Sequence, residues 1–143
     1  MKNPIYPCLW FDNQALEAAE FYCSVFKNSK ITESTPMVVT FELNGRKFMG
    51  LNGGPMFKFN EAISFVVDCE TQDEIDHYWE RLTKGGEESR CGWLKDRYGV
   101  SWQIVPTILP SLMSDPEKGE KVVQAFMQMK KFDIAALIRA VND

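Results

Sequence analysis

Residues 9–26 read LWFDNQALEAAEFYCSVF and residues 65–82 read FVVDCETQDEIDHYWERL. Both begin as a short apolar strand, pass an acidic residue, and continue as a helix whose apolar residues recur at a 3.6-residue period. In the first stretch Leu16, Ala19, Phe21, Tyr22, Val25 and Phe26 make the apolar face, and Asn13 is the expected N-terminal cap. In the second, Thr71 opens the helix and Gly85 closes it. Setting Asp12 on Asp68, 56 positions on, also sets Tyr22 on Tyr78 and Phe26 on Leu82.

Short strands follow each helix. KITEST, MVVTFEL and RKFMGLN come after the first, the last two joined by Asn44-Gly45, a two-residue hairpin signal. EESRCGW and GVSWQIVP come after the second, and setting Gly45 on Gly99, 54 positions on, sets Phe48 on Trp102 and Leu51 on Val105. Two offsets this close point to a duplicated module. The predicted fold is α+β, with two tandem βαβββ modules, about 1–58 and 59–106. A helical tail, 107–143, completes a single domain spanning 1–143.

In that tail, Ser114 and Glu117 with Pro116 between them mark a helix start, and Val122, Phe126 and Met129 form one apolar stripe. Asp133 caps a second helix with Ile134, Leu137, Ile138 and Val141 as its stripe. Exposed stripes and sheet edges lead to an expected homodimer.

Composition narrows the function. With 45% hydrophobic and 25% charged residues, the 143-residue chain reads as a soluble globular domain, with no apolar run long enough to span a membrane. The start, MKNPIYPCLWFDN, shows no targeting pattern, so a cytoplasmic location is expected. A net charge of −4 with scattered basic residues leaves no footprint for nucleic acid. The four cysteines lie far apart and read as reduced, mostly buried thiols.

LWFDNQALEAAEFYCSVF, CGWLKDRYGVSWQIVP and FMQMKKFDIAALIRAV resemble the PhnB-like, or 3-demethylubiquinone-9 3-methyltransferase-like, branch of the vicinal oxygen chelate superfamily. The resemblance implies the glyoxalase/bleomycin resistance-like fold, in which paired βαβββ modules form one curved mixed sheet with helices outside and a hollow inside. The resemblance implies metal ligands on first strands, often His, and on fourth strands, usually Glu. Here the fourth-strand positions hold Met49 and Gln103. The first-strand positions hold Ile5 or Pro7, and Glu61 or Ile63. His77, the single histidine, falls in the second helix. One carboxylate and one amide cannot complete a site, so no metal and no cofactor are expected.

Strand alternation places Pro7, Leu9 and Phe11 with Met49 and Leu51, and Glu61, Ile63 and Phe65 with Gln103 and Val105, on the hollow side. Trp10, Phe48 and Trp102 then face the helices, as do Cys8 and Ser64, which leaves no activated nucleophile. The loop SRCGWLKDRYG carries Arg90, Lys95, Asp96 and Arg97 around Trp93 and Tyr98, and reads as a solvated turn or a lid. Glu61 in an apolar hollow would have a raised pKa. The candidate ligand-binding set is Phe11, Met49, Glu61, Phe65, Trp93 and Gln103, suited to a small aromatic or planar molecule. The expected function is metal-independent small-molecule binding. The alternative is an enzyme of glyoxalase, dioxygenase or methyltransferase type, although neither Gly53-Gly54 nor Gly85-Gly86 opens a nucleotide-binding helix.

Overall fold

The computed structural model describes residues 3–142. In chain order the elements are β1 (Cys8–Phe11), α1 (Ala15–Val25), β2 (Lys30–Ser34), β3 (Val38–Leu43), β4 (Arg46–Asn52), β5 (Ser64–Cys69), α2 (Gln72–Thr83), β6 (Glu87–Glu88), β7 (Trp93–Lys95), β8 (Ser101–Pro106), α3 (Leu109–Met113), α4 (Gly119–Phe126) and α5 (Ile134–Asn142). They fall into two units, Met1–Phe59 and Asn60–Asp143. The α+β class and the repeated βαβββ order are as expected. The sheet, expected as one curved surface, consists of two four-stranded ladders, ordered β1-β4-β3-β2 and β5-β8-β7-β6. In each, the first strand runs parallel to the fourth and the other pairs are antiparallel.

Local chemistry explains most boundaries. Asn44 and Gly45 have φ of 54° and 79°, the left-handed pair that a two-residue hairpin demands. Thr71 accepts from the Glu74 amide while the Glu74 side chain accepts from the Thr71 amide, so α2 begins with a complete capping box. Asp133 Oδ1 accepts from the Ala136 amide at the start of α5. EESRCGW, read as one strand, is two: Cys91 and Gly92, at φ 58° and 83°, turn the chain between β6 and β7. The tail holds the additional helix α3, and Asp115 rather than Ser114 accepts from the Glu117 and Lys118 amides ahead of α4.

The cap of α1 comes from another element. Asn13 makes no cap; Asn52, the last residue of β4, accepts from the Ala15 amide at 2.9 Å and donates to the Pro36 carbonyl at 3.0 Å. One side chain thus ties helix, strand and loop in the first unit. Asn52→Ala should lower stability by about 1 kcal/mol, the usual worth of a cap, measured as a shift in the urea midpoint. A change below ~0.3 kcal/mol would show that water replaces both bonds.

Each core lies between a sheet and its own helix. Ala15, Ala18, Ala19, Tyr22 and Val25 of α1 are buried, and the Tyr22 ring stacks over Phe41, which stacks over Phe48. A side chain at Gly50 would meet the Ala15 methyl at 3.1 Å, so α1 lies closest to β4 there. In the second unit Ile75, Trp79 and Leu82 are buried on α2, which packs on β5, β7 and β8. The buried faces correspond as Ala18 with Ile75, Tyr22 with Trp79 and Val25 with Leu82, an offset of 57 rather than 56. Strand register corrects the repeat too. Met49 stands opposite Cys8, and Gln103 stands opposite Val66, so Trp10 rather than Asp12 takes the place of Asp68.

Cys69 closes β5 fully buried, and burial, aided by the nearby charges of Glu74 and Asp68, pushes its thiol up to about 12 from 9.0. Between those values the unfolded chain releases this proton and the folded chain keeps it. Stability should therefore fall as pH rises from about 9 toward 12, by at most ~1.4 kcal/mol per pH unit for this group. Cys69→Ala should flatten that slope in urea titrations run at successive pH values. An unchanged slope would assign the alkaline loss elsewhere.

Candidate ligand-binding face

Paired residues in a ladder point the same way, so register decides which side chains share a face. In the first unit Leu9 pairs with Gly50 and Phe11 with Asn52, while Phe41 pairs with Phe48. Leu9 and Phe11, both buried, thus lie with Phe48 beneath α1. Cys8 and Trp10 lie with Met49 and Leu51 on the open side. The expected faces of β1 are therefore reversed, and Phe11 is a core residue apart from Met49. Trp10 is held over the open side by Gly53 and Gly54: its Nε1 donates to the Gly54 carbonyl at 2.8 Å, and a side chain at Gly53 would lie 2.4 Å from its ring.

The second unit shows the same reversal of its first strand. Phe65 pairs with Trp102, its ring 5.4 Å away, on the helix-covered face. Ser64, Val66 and Asp68 share the open face with Ser101, Gln103 and Val105. From the neighbouring strand Trp93 stands beside Gln103, and Lys95 beside Ser101. Of the six sequence candidates, Glu61, Trp93 and Gln103 come to this side of the second unit. Phe65 does not.

Gln103 Nε2 donates to Ser64 Oγ at 2.9 Å, which accounts for an amide within a strand of mostly apolar residues and uses the hydroxyl expected to face α2. Beside it Lys95 Nζ lies 3.2 Å from Glu61 Oε2. The Lys95 hydrogen bond, with a backbone bond and its charge, holds the Glu61 carboxyl below its ordinary range. The expected raised pKa is overturned because Glu61 is exposed and paired, not desolvated in an apolar hollow. A carboxylate kept ionised is a weak candidate for general acid work and a sound one for holding a positive charge.

Glu61, Glu87, Trp93, Lys95 and Ser101 are among the residues lining a cavity of about 110 Å³. Ser101 is 1% exposed, and its Oγ finds no hydrogen-bond partner among the described residues. A buried hydroxyl left so costs about 1–3 kcal/mol, which a bound group can relieve. Sequence reasoning missed Ser101 because serine at a strand start carries no signal of its own.

Asp96 is the loop's organiser. Only 3% exposed, it accepts from the Tyr98 and Val100 amides at 2.9 and 3.1 Å and from Trp102 Nε1 at 2.9 Å. Asp96 is thus not one of the solvated charges of this turn, whereas Arg90 and Arg97 are exposed as expected of a solvated turn.

The family profile described as 3-demethylubiquinone-9 3-methyltransferase matches residues 3–105. The chain belongs to that family. This PhnB-like family is the branch of the vicinal oxygen chelate superfamily that the sequence resembles, and solved structures share the fold. The PhnB protein from Bacillus cereus is 34% identical, with a TM-score of 0.67, over 73% of this chain and all (100%) of that one. The fosfomycin resistance protein FosX from Listeria monocytogenes, solved with Mn(II) and sulfate, is 14% identical with a TM-score of 0.58, covering 78% of this chain and 96% of its own. A glyoxalase-related enzyme from Fulvimarina pelagi is 16% identical with a TM-score of 0.56, over 76% and 91% of the two chains. The last two likenesses concern the fold alone. No match was found among curated proteins.

In this PhnB-like chain the residues present do not fit the superfamily's metal. The fourth-strand donors are a thioether, Met49, and an amide already bonded to Ser64, and neither matches the hard anionic ligands a divalent ion prefers. Among the described residues no three His, Cys, Asp or Glu side chains gather as a ligand set. The glycine pairs fit no nucleotide cradle either, since a side chain at Gly86 would lie 2.1 Å from the Lys95 carbonyl oxygen, making this glycine a packing requirement. Among the described residues no helix is long and apolar enough to cross a membrane.

Proposed function

We propose that this PhnB-like protein binds a small molecule without a metal, at the open face of its second unit, and acts as a homodimer. The observation that carries the reading is the group around Gln103: an amide occupies the fourth-strand ligand position, bonded to Ser64 and standing beside Trp93. Such a face orients a ligand through directed hydrogen bonds and one aromatic surface, the usual economy of small-molecule sites. Met49, with Trp10 and Leu51, gives the first unit an open face of apolar character. Pairing through the tail stripes has less surface than expected, because Val122, Leu137 and Val141 are buried within the chain. Exposed Ile63 and Val66 are among the apolar residues left for a second copy, as are Met127 and Ile138 of the tail.

Gel filtration with light scattering and elemental analysis tests both parts at once. The expected peak has a mass near twice 16.4 kDa. It should carry Zn, Ni, Mn and Fe well below one equivalent per chain after incubation with each ion. Stoichiometric metal retained through the column would overturn metal independence. A mass near that of one chain would overturn the dimer.

A further inference from the structure

Resting on the reading of this face as a small-molecule site, we infer that the cavity beside Ser101 takes the cationic head of a small amine. Its lining brings Glu61, Glu87 and Glu88 together with one cation, Lys95. Glu88 pairs with Leu94 on the helix-covered side, so the open face sets two carboxylates, Glu61 and Glu87, against one ammonium, which favours a positive ligand over a negative one. Glu88 is held in place by Trp79 Nε1 at 2.6 Å, and Glu61 by Lys95. Glu87 is exposed and shares the open face with Lys95 across the β6–β7 pair.

Ser101 points independently to a ligand. The residue that carries this buried, unpartnered hydroxyl lines the same cavity and shares the open face with Lys95, and an ammonium offers the hydroxyl the hydrogen-bond donor it lacks. Trp93 adds an aromatic surface of the kind that attracts cations. The cavity's 110 Å³ exceeds several-fold the ~10–15 Å³ that one water needs, so it admits a head group larger than water. Lys95 is the residue that competes. Its ammonium is the counter-ion of Glu61 in a part-exposed pair, a weakly held arrangement that an incoming amine can take over.

The test is isothermal titration of the full chain with phenethylammonium, phenylacetate and phenethyl alcohol, which share a ring and differ in the charge of the head. Phenethylammonium should bind about tenfold or more tightly than either of the others. Ser101→Ala and Glu61→Gln should each weaken it about tenfold, with unchanged circular dichroism. Lys95→Met should tighten it, a gain that damage to the fold cannot produce. Preference for phenylacetate, equal binding of the three, or weaker amine binding by Lys95→Met would overturn the amine assignment and leave the small-molecule reading standing. Failure of all three to bind at about 10 mM would overturn both.

Discussion

Asp96→Ala should lower the stability of the second unit by about 3–5 kcal/mol, a large share of the ~5–15 kcal/mol that holds an ordinary domain folded. The carboxylate accepts from two backbone amides and an indole N–H, and a hydrogen bond to a charged group is worth about 1.5–3 kcal/mol. Its removal strands those donors at a buried turn and leaves space beside Trp102. The Asp96 amide also bonds the Val100 carbonyl, so the side chain and the main chain close the same loop. Asp96→Asn keeps an acceptor for the two amides but turns an NH2 toward the indole, and should cost less, about 1–2 kcal/mol. Urea denaturation followed by tryptophan fluorescence measures both. Equal costs, or an alanine cost under ~1 kcal/mol, would mean that the turn is set by the backbone alone.

Some features written in contiguous residues were legible in the sequence, although the expected caps at Asn13 and Ser114 were not the ones formed. The helix start at Thr71, the Asn44-Gly45 hairpin and the Asp133 cap need only neighbours in the chain, and each is where the sequence places it. Facing was not legible for the first strands. LWF and FVV are apolar on both parities, so alternation cannot say which residues face the helix, and a slip of one residue exchanges the faces. Only the pairing of β1 with β4 and of β5 with β8 decides it, and that moved Phe11 into the core and half-buried Phe65 onto the helix-covered face.

Partners distant in sequence were also hidden. Asn52 caps a helix 37 residues earlier, and Gln103 bonds a serine 39 residues earlier. Asp96 carried a usable sign, a short acidic side chain three residues before Gly99, the usual chemistry of a turn whose carboxylate bonds the following amides. Its neighbours Lys95 and Arg97 made it look like one more solvated charge.

The tail is anchored through an aromatic, and Phe132→Ala should cost about 3–5 kcal/mol, as for other buried phenylalanines. Phe132 is 2% exposed, meets Phe126 edge-on at 5.7 Å, and packs where Gly92 leaves room, since a side chain at Gly92 would lie 2.5 Å from the ring. Main-chain bonds run alongside: the Cys91 and Gly92 amides donate to the Met129 and Lys130 carbonyls at 2.9 and 2.8 Å. Gln72 donates to the Phe132 carbonyl and accepts from the Ile134 amide, so α2 reads the tail backbone through one side chain. Next to these, Lys131 and Asp76 form a short ion pair at 2.7 Å, but both side chains are nearly half exposed and such pairs contribute about 0–1 kcal/mol. Burial should therefore decide, with Lys131→Ala changing stability by less than ~1 kcal/mol while Phe132→Ala opens the segment. Hydrogen exchange reads the difference locally: the Cys91 and Gly92 amides should lose protection in Phe132→Ala and keep it in Lys131→Ala. If the two variants lost protection equally, the ion pair rather than the ring would be holding the tail to its sheet.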